Sequence, residues 1–96
     1  MTVNEDGQRL IITVIGHDRI GIIAAISQIL AAAHINILDI NQTIMQGFFT
    51  MIMIVDAKES TMEMADLSQK LANKGEELGL VITTQHEDVF RYMHRI

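Results

Sequence analysis

The stretch Gly16-His17-Asp18-Arg19-Ile20-Gly21 decides how this chain folds, because of what flanks it: Leu10-Ile11-Ile12-Thr13-Val14-Ile15 before, and an apolar run from Ile22 to Ala33 after. The upstream residues, 9–15, read as a strand with Leu10, Ile12 and Val14 on one face and Ile11 and Ile15 on the other. Apolar character on both faces marks a central strand. The downstream residues, 20–34, read as a helix whose Ile22, Ile23, Ile26, Ile29, Leu30 and Ala33 form a core stripe. The other side of that helix carries no charge, which is unusual for a solvated face. A strand entering a helix through a glycine-bounded polar turn is a natural ligand seat, since the first helical N–H groups lack partners and the dipole favours an anionic group. Asp18 suits a helix cap or an amino group, Arg19 suits a carboxylate, and Gly21 lets a ligand or another backbone come close.

Outward from this turn, His34-Ile35-Asn36 is a short connection, and residues 36–46 alternate as a strand with Leu38, Ile40 and Ile44 inward and Asp39, Asn41 and Thr43 outward. Gln46-Gly47 is a hairpin turn. The return strand, 48–56, has Phe48, Ile52 and Ile54 on one face and Phe49, Met51, Met53 and Val55 on the other. Ser60-Thr61-Met62-Glu63 has capping-box spacing and predicts a second helix starting at Ser60, with Met64, Leu67, Leu71 and Leu78 inward. Gly75 falls on that stripe, so the helix lies close to the sheet there or kinks, and Gly79 is the expected C-cap. Residues 80–86 read as a fourth strand. Asp88 to Ile96 reads as a short amphipathic helix with Val89, Phe90, Met93 and Ile96 on one side.

The order β-α-β-β-α-β predicts an α+β, ferredoxin-like sandwich: a four-stranded antiparallel sheet, two helices on one face, the first and third strands central, and a C-terminal helix at 88–96. This reading leaves Ile11, Ile15, Phe49, Met51, Met53 and Val55 on the face away from the helices. A patch of that size calls for a cover, from the C-terminal helix, a second subunit or both. Residues 1–8 read as a frayed start, and 9–96 as one domain, since 96 residues hold a single core.

Composition narrows the function classes. Hydrophobic residues make up 49% and charged residues 20%, as in a globular chain. The net charge of −5 and the lack of any basic run argue against nucleic acid and anionic membranes. Cysteine is absent, which excludes disulfides, thiolate metal sites and cysteine nucleophiles. The acidic, polar opening Met1–Gly7 does not resemble a signal peptide, and no apolar run approaches the roughly 18 residues of a membrane span. A cytoplasmic protein is expected. The four histidines show no metal-ligand spacing, so neither metal nor cofactor is expected.

The run from Ile12 through Ile23, with its Asp18-Arg19-Ile20-Gly21, followed by a helix, His34-Ile35-Asn36-Ile37 and a hairpin, resembles an ACT domain. The resemblance covers nearly the whole chain. It is closest to small stand-alone ACT-domain proteins and extends to the ACT portion of the glycine cleavage system transcriptional repressor. Many ACT domains carry proline where this chain has Ile20, and several amino-acid-binding ones carry a polar side chain where it has Gly16. The resemblance implies amino-acid binding between paired domains, at the turn after the first strand together with the start of a neighbour's second strand. Carried over by position, Asp18 and Asn36 would contact the ligand's charged groups. Gly16 and Gly21 would admit the backbone, and Ile20, Ile22 and Ile37 would line the pocket; His17 and Arg19, as polar members of the turn, complete the candidate ligand-binding residues.

Three classes of function are weighed. A regulatory module binding a small amino acid as a homodimer, with its output through another protein chain, accounts for the motif and for the uncharged helix face. A purely structural dimerisation or interaction module is the alternative. An enzyme is not expected: Ser27, Ser60 and Ser68 lack evident His/Asp partners, and no phosphate cradle is present.

Overall fold

The computed structural model describes residues 8–17 and 21–89. The expected frayed start up to residue 7, the turn residues Asp18, Arg19 and Ile20, and the C-terminal helix beyond Val89 lie outside that range. The elements are β1 (Arg9–His17), α1 (Ile22–Ala32), β2 (Asn36–Met45), β3 (Phe48–Asp56), α2 (Met64–Leu78) and β4 (Val81–His86). They form one antiparallel sheet in the order β2-β3-β1-β4, so the two strands read as central are central. Glu87–Val89 add a short helical turn after β4.

Register assigns the faces. Leu10, Ile12, Val14 and Gly16 stand opposite Val55, Met53, Met51 and Phe49, and directly paired residues share a face. All of these but Gly16 are buried, in one cluster with Ile22, Ile26, Ile29 and Leu30 of α1 and Leu67 and Leu71 of α2. Phe49, Met51, Met53 and Val55 therefore belong to the helix-covered core, and the open face receives Phe48, Thr50, Ile52 and Ile54. The expectation had these two sets exchanged. In a strand apolar on both sides, alternation divides the residues into two sets but does not tell which set meets the helices; the pairing with β1 does.

The β2–β3 hairpin turns at Gln46 (φ 51) and Gly47 (φ 85), the two positive values that a two-residue turn needs to match strand twist. In β2 the register skips Leu38 between the pairs Ile37↔Val55 and Asp39↔Ile54. This bulge brings Ile37 onto the helix side with Ile40, Gln42 and Ile44, and leaves Leu38 46% exposed rather than inward.

Both helices close alike. After α1, Ile35 N–H donates to Leu30 O at 2.9 Å and His34 N–H to Ala31 O at 3.0 Å; after α2, Leu80 N–H donates to Gly75 O at 2.7 Å and Gly79 N–H to Glu76 O at 3.3 Å. This is the Schellman pattern. Gly79 fills its left-handed position as expected, with φ 76, whereas α1 uses His34 at φ 61 and so ends before residue 34.

Helix α2 starts later than its sequence suggests. Ser60 Oγ accepts from Met62 N–H at 3.0 Å and donates to Met62 O at 2.8 Å, forming a local turn instead of a cap. Thr61 N–H donates to Ala33 O at 3.0 Å, tying this connection to the end of α1. Glu63 is the N-cap residue, in extended conformation and without a side-chain cap bond, and Met64 is 40% exposed rather than inward. Gly75 is buried against β4, where a Cβ would stand 2.9 Å from Leu80 O and 3.0 Å from Ile82 Cγ1. Close approach is the reason for this glycine.

Candidate ligand-binding site

β1 delivers Gly16 and His17 to opposite faces of the sheet. Gly16 faces the helix layer, where a Cβ would collide with Leu80 Cδ2. The space beside it is thus filled by the α2–β4 connection of the same chain. His17 lies on the open face, stacked on Phe48 with ring centroids 5.2 Å apart and planes at 22°.

Gly21 is the N-cap residue of α1, at φ 87, and a Cβ there would meet nothing within 4 Å. Its backbone requires glycine, while the space around it stays open. The first helical bond of α1 runs from Ala25 N–H to Gly21 O at 3.0 Å, so the amides of Ile22, Ile23 and Ala24 precede the intrahelical ladder. Next to them is a cleft of about 190 Å³, lined by Gly21, Ile22, Ile23, Ala24, Gln42, Ile44 and Phe49. Among the described residues, no charged one lines it. Its lining includes Ile44 of the edge strand β2, which is 61% exposed. Such a cleft can take a small, largely apolar molecule whose polar end meets backbone amides and the Gln42 carboxamide.

Gln42, Ile44 and Phe49 were not singled out in the sequence as site residues. Gln42 alone left a signal, as the polar member of the apolar set Ile40-Gln42-Ile44 on the inward face of β2.

Asn36 and Ile37 lie elsewhere. Asn36 pairs with Asp56, which pairs with Arg9 at the start of β1, whereas His17 ends β1 opposite Phe48. Eight residues of strand separate the two rows, about 27 Å at roughly 3.4 Å per residue. Asn36 lines a polar recess of about 290 Å³ with His34, Asp56, Lys58 and Glu59. There Asp56 Oδ1 accepts from Lys58 N–H at 3.0 Å. A further recess of about 380 Å³ at the same end is lined by Leu10, Lys58, Ser60, Met62, Glu63, Leu67 and His86, among others. Within one chain, then, Gly21 and Ile22 line the cleft, Gly16 packs against Leu80, His17 lies on the open face, and Asn36 and Ile37 lie at the other end of the sheet.

Among the described residues no group of three His, Asp or Glu side chains could hold a metal ion, and no helix is long and apolar enough to cross a membrane.

Comparison with known proteins gives this architecture its place. The family model of the ACT domain matches residues 8–85. A UPF0237 protein of Methanocaldococcus jannaschii is 52% identical over 88 residues, covering 92% of this chain and 98% of that protein. An ACT domain protein from Streptococcus pneumoniae superposes with a TM-score of 0.75 at 33% identity, covering 85% of this chain and 92% of that one. A structure assigned to a glycine cleavage system transcriptional repressor superposes with a TM-score of 0.70 at 26% identity, covering 81% of this chain and 44% of that one. With more than half its length matched, the chain belongs to the ACT domain family, a family of ligand-binding regulatory modules.

Proposed function

We propose that this chain is a cytoplasmic amino-acid sensor that works as a homodimer, with each ligand held between the β1–α1 turn of one copy and the start of β2 of the other. The carrying observation is the separation of Asn36 from the turn within one chain, combined with a β2 whose outer edge, among the described residues, no strand covers. An antiparallel pairing of two β2 strands centred on Asn41, with the Leu38 bulge skipped in each, sets Asn36 of the second copy opposite Met45, and its Ile37 opposite Ile44. Asn36 then stands near the cleft of Gly21, Gln42 and Ile44, and the 27 Å gap is closed. The same contact covers the exposed Ile44 and the uncharged outer side of α1, where Ala24, Gln28 and Ala31 are exposed.

In this reading Asp18 and the partner's Asn36 meet the ligand's ammonium and carboxylate, with Gln42 and the first amides of α1 as further polar contacts. Arg19 and His17 flank the opening. Ile20, Ile22, Ile23 and Ile37 supply an apolar wall suited to a small or branched aliphatic amino acid. The bound ligand bridges two chains, so it shifts the assembly toward the dimer, and the output passes to another protein rather than through catalysis.

Thermal unfolding against the twenty amino acids at millimolar concentration tests this, with protein concentration held fixed. A ligand at about 100 times its dissociation constant adds about 2.7 kcal/mol. One amino acid, or a small aliphatic group of them, is expected to raise Tm and to raise the dimer fraction together. A dimer indifferent to all twenty favours the purely structural module, a reading to which the filling of the space beside Gly16 by Leu80 lends support.

A further inference from the structure

The open face of the sheet is unevenly buried. Ile11 is 4% exposed although it lies outside the core cluster, on the side away from both helices. Ile15, on the same face of the same strand, is 44% exposed. Cover is therefore concentrated at the end of the sheet where β4 finishes. At that end the chain turns onto the open face: Glu87, with its side chain only 13% exposed, sets Oε1 3.4 Å from Nε of Arg9, an open-face residue in the row next to Ile11.

We infer that the C-terminal segment Phe90–Ile96 docks across this face, over Ile11 and Ile54, and closes it to other occupants. Ile11 belongs to a cross-strand row running Gln85, Ile11, Ile54, Asp39 from β4 to β2. The row spans three strand spacings, about 14 Å. Ten helical residues from Glu87 to Ile96 would extend about 15 Å, which matches that width. Phe90 and Met93 share the apolar side read from helical spacing, suited to Ile11 and Ile54. The far end of the row offers the exposed carboxylate of Asp39, and the segment's last cation is Arg95. Charge and length agree on the direction of crossing. With this face reserved, self-association is directed to the β2 edge rather than sheet against sheet.

The 96-residue chain has no tryptophan, so F90W carries a single reporter. Its indole is expected to resist acrylamide several-fold better in the folded protein than in urea, at every protein concentration, and to lose part of that protection when the exposed Asp39 is reversed in F90W/D39K. Equal quenching in the folded and unfolded states overturns the proposal. Protection that disappears on dilution also overturns it, because the cover is then a second copy. A chain ending at Val89 is expected to bind an apolar dye and to gain mass with concentration; a truncated chain that folds and does neither counts against the proposal. The indole measurement stands whether or not the truncated chain folds.

Discussion

Asn36 and His17 occupy opposite ends of one sheet, Asn36 in the row of Arg9 and Asp56, His17 in the row of Phe48 and Met45. In a single chain the turn after β1 and the start of β2 do not meet. The β2 edge and the cleft at Gly21 suggest how two copies would reunite them, and this shapes what each substitution should do.

At the outer edge, Ile44→Lys is expected to abolish dimerisation and ligand response together while leaving monomer stability within about 0.5 kcal/mol, as for an exposed position. Ile44 is 61% exposed and lines the cleft. Sedimentation across a concentration series, with urea unfolding of the monomer, checks both halves. A dimer of unchanged strength would move the interface away from β2.

Met53→Ala is expected to cost about 2–5 kcal/mol, the range for truncating a buried methionine, because Met53 is fully buried against Ile12 in the helix-covered core. Denaturant unfolding reads this directly. Had Met53 belonged to the open face, as strand alternation alone allowed, the substitution would act on assembly instead.

That contrast shows where the sequence was legible. Element order, the central place of β1 and β3, the Gln46-Gly47 turn and the close approach at Gly75 follow from local pattern, and the structure has them all. The choice of face in β3 depends on register with β1, a long-range fact that apolar residues on both sides conceal. The start of α2 was misplaced because Ser60 spends its hydroxyl on Met62, while Thr61 is held by the carbonyl of Ala33. No window of neighbouring residues contains that tie. The candidate site was legible as a motif, but the bulge at Leu38, which puts Ile37 and Gln42 on one face, was not.

Gly75→Ala is expected to destabilise by about 1–3 kcal/mol, against a helix propensity that favours alanine by about 1 kcal/mol. Sterics win because the obstructing atom at 2.9 Å is the backbone oxygen of Leu80, which cannot rotate aside. Thermal unfolding provides the sign, and a stabilised variant would contradict the close packing of α2 on β4.

His34→Gly is expected to stabilise the fold by up to about 1 kcal/mol, since an L-residue in the left-handed region costs about 1–2 kcal/mol and glycine returns part of that as chain entropy. His34 holds φ 61 in the same closing pattern that Gly79 completes for α2. A loss of stability would mean that the imidazole makes a compensating contact in the recess it shares with Asn36 and Asp56.

The most direct test of a site shared between copies is complementation. Asp18→Ala and Asn36→Ala each remove one half-site, and each pure variant is expected to lose the amino-acid response of the parent. Mixed in equal amounts under exchange, half the dimers pair one chain of each kind, and each such dimer keeps one intact site. Calorimetric titration of the mixture should then recover about a quarter of the parent's sites at the parent's affinity, as two-fold symmetry requires. A mixture as silent as its components would contradict the account and confine the site to a single chain.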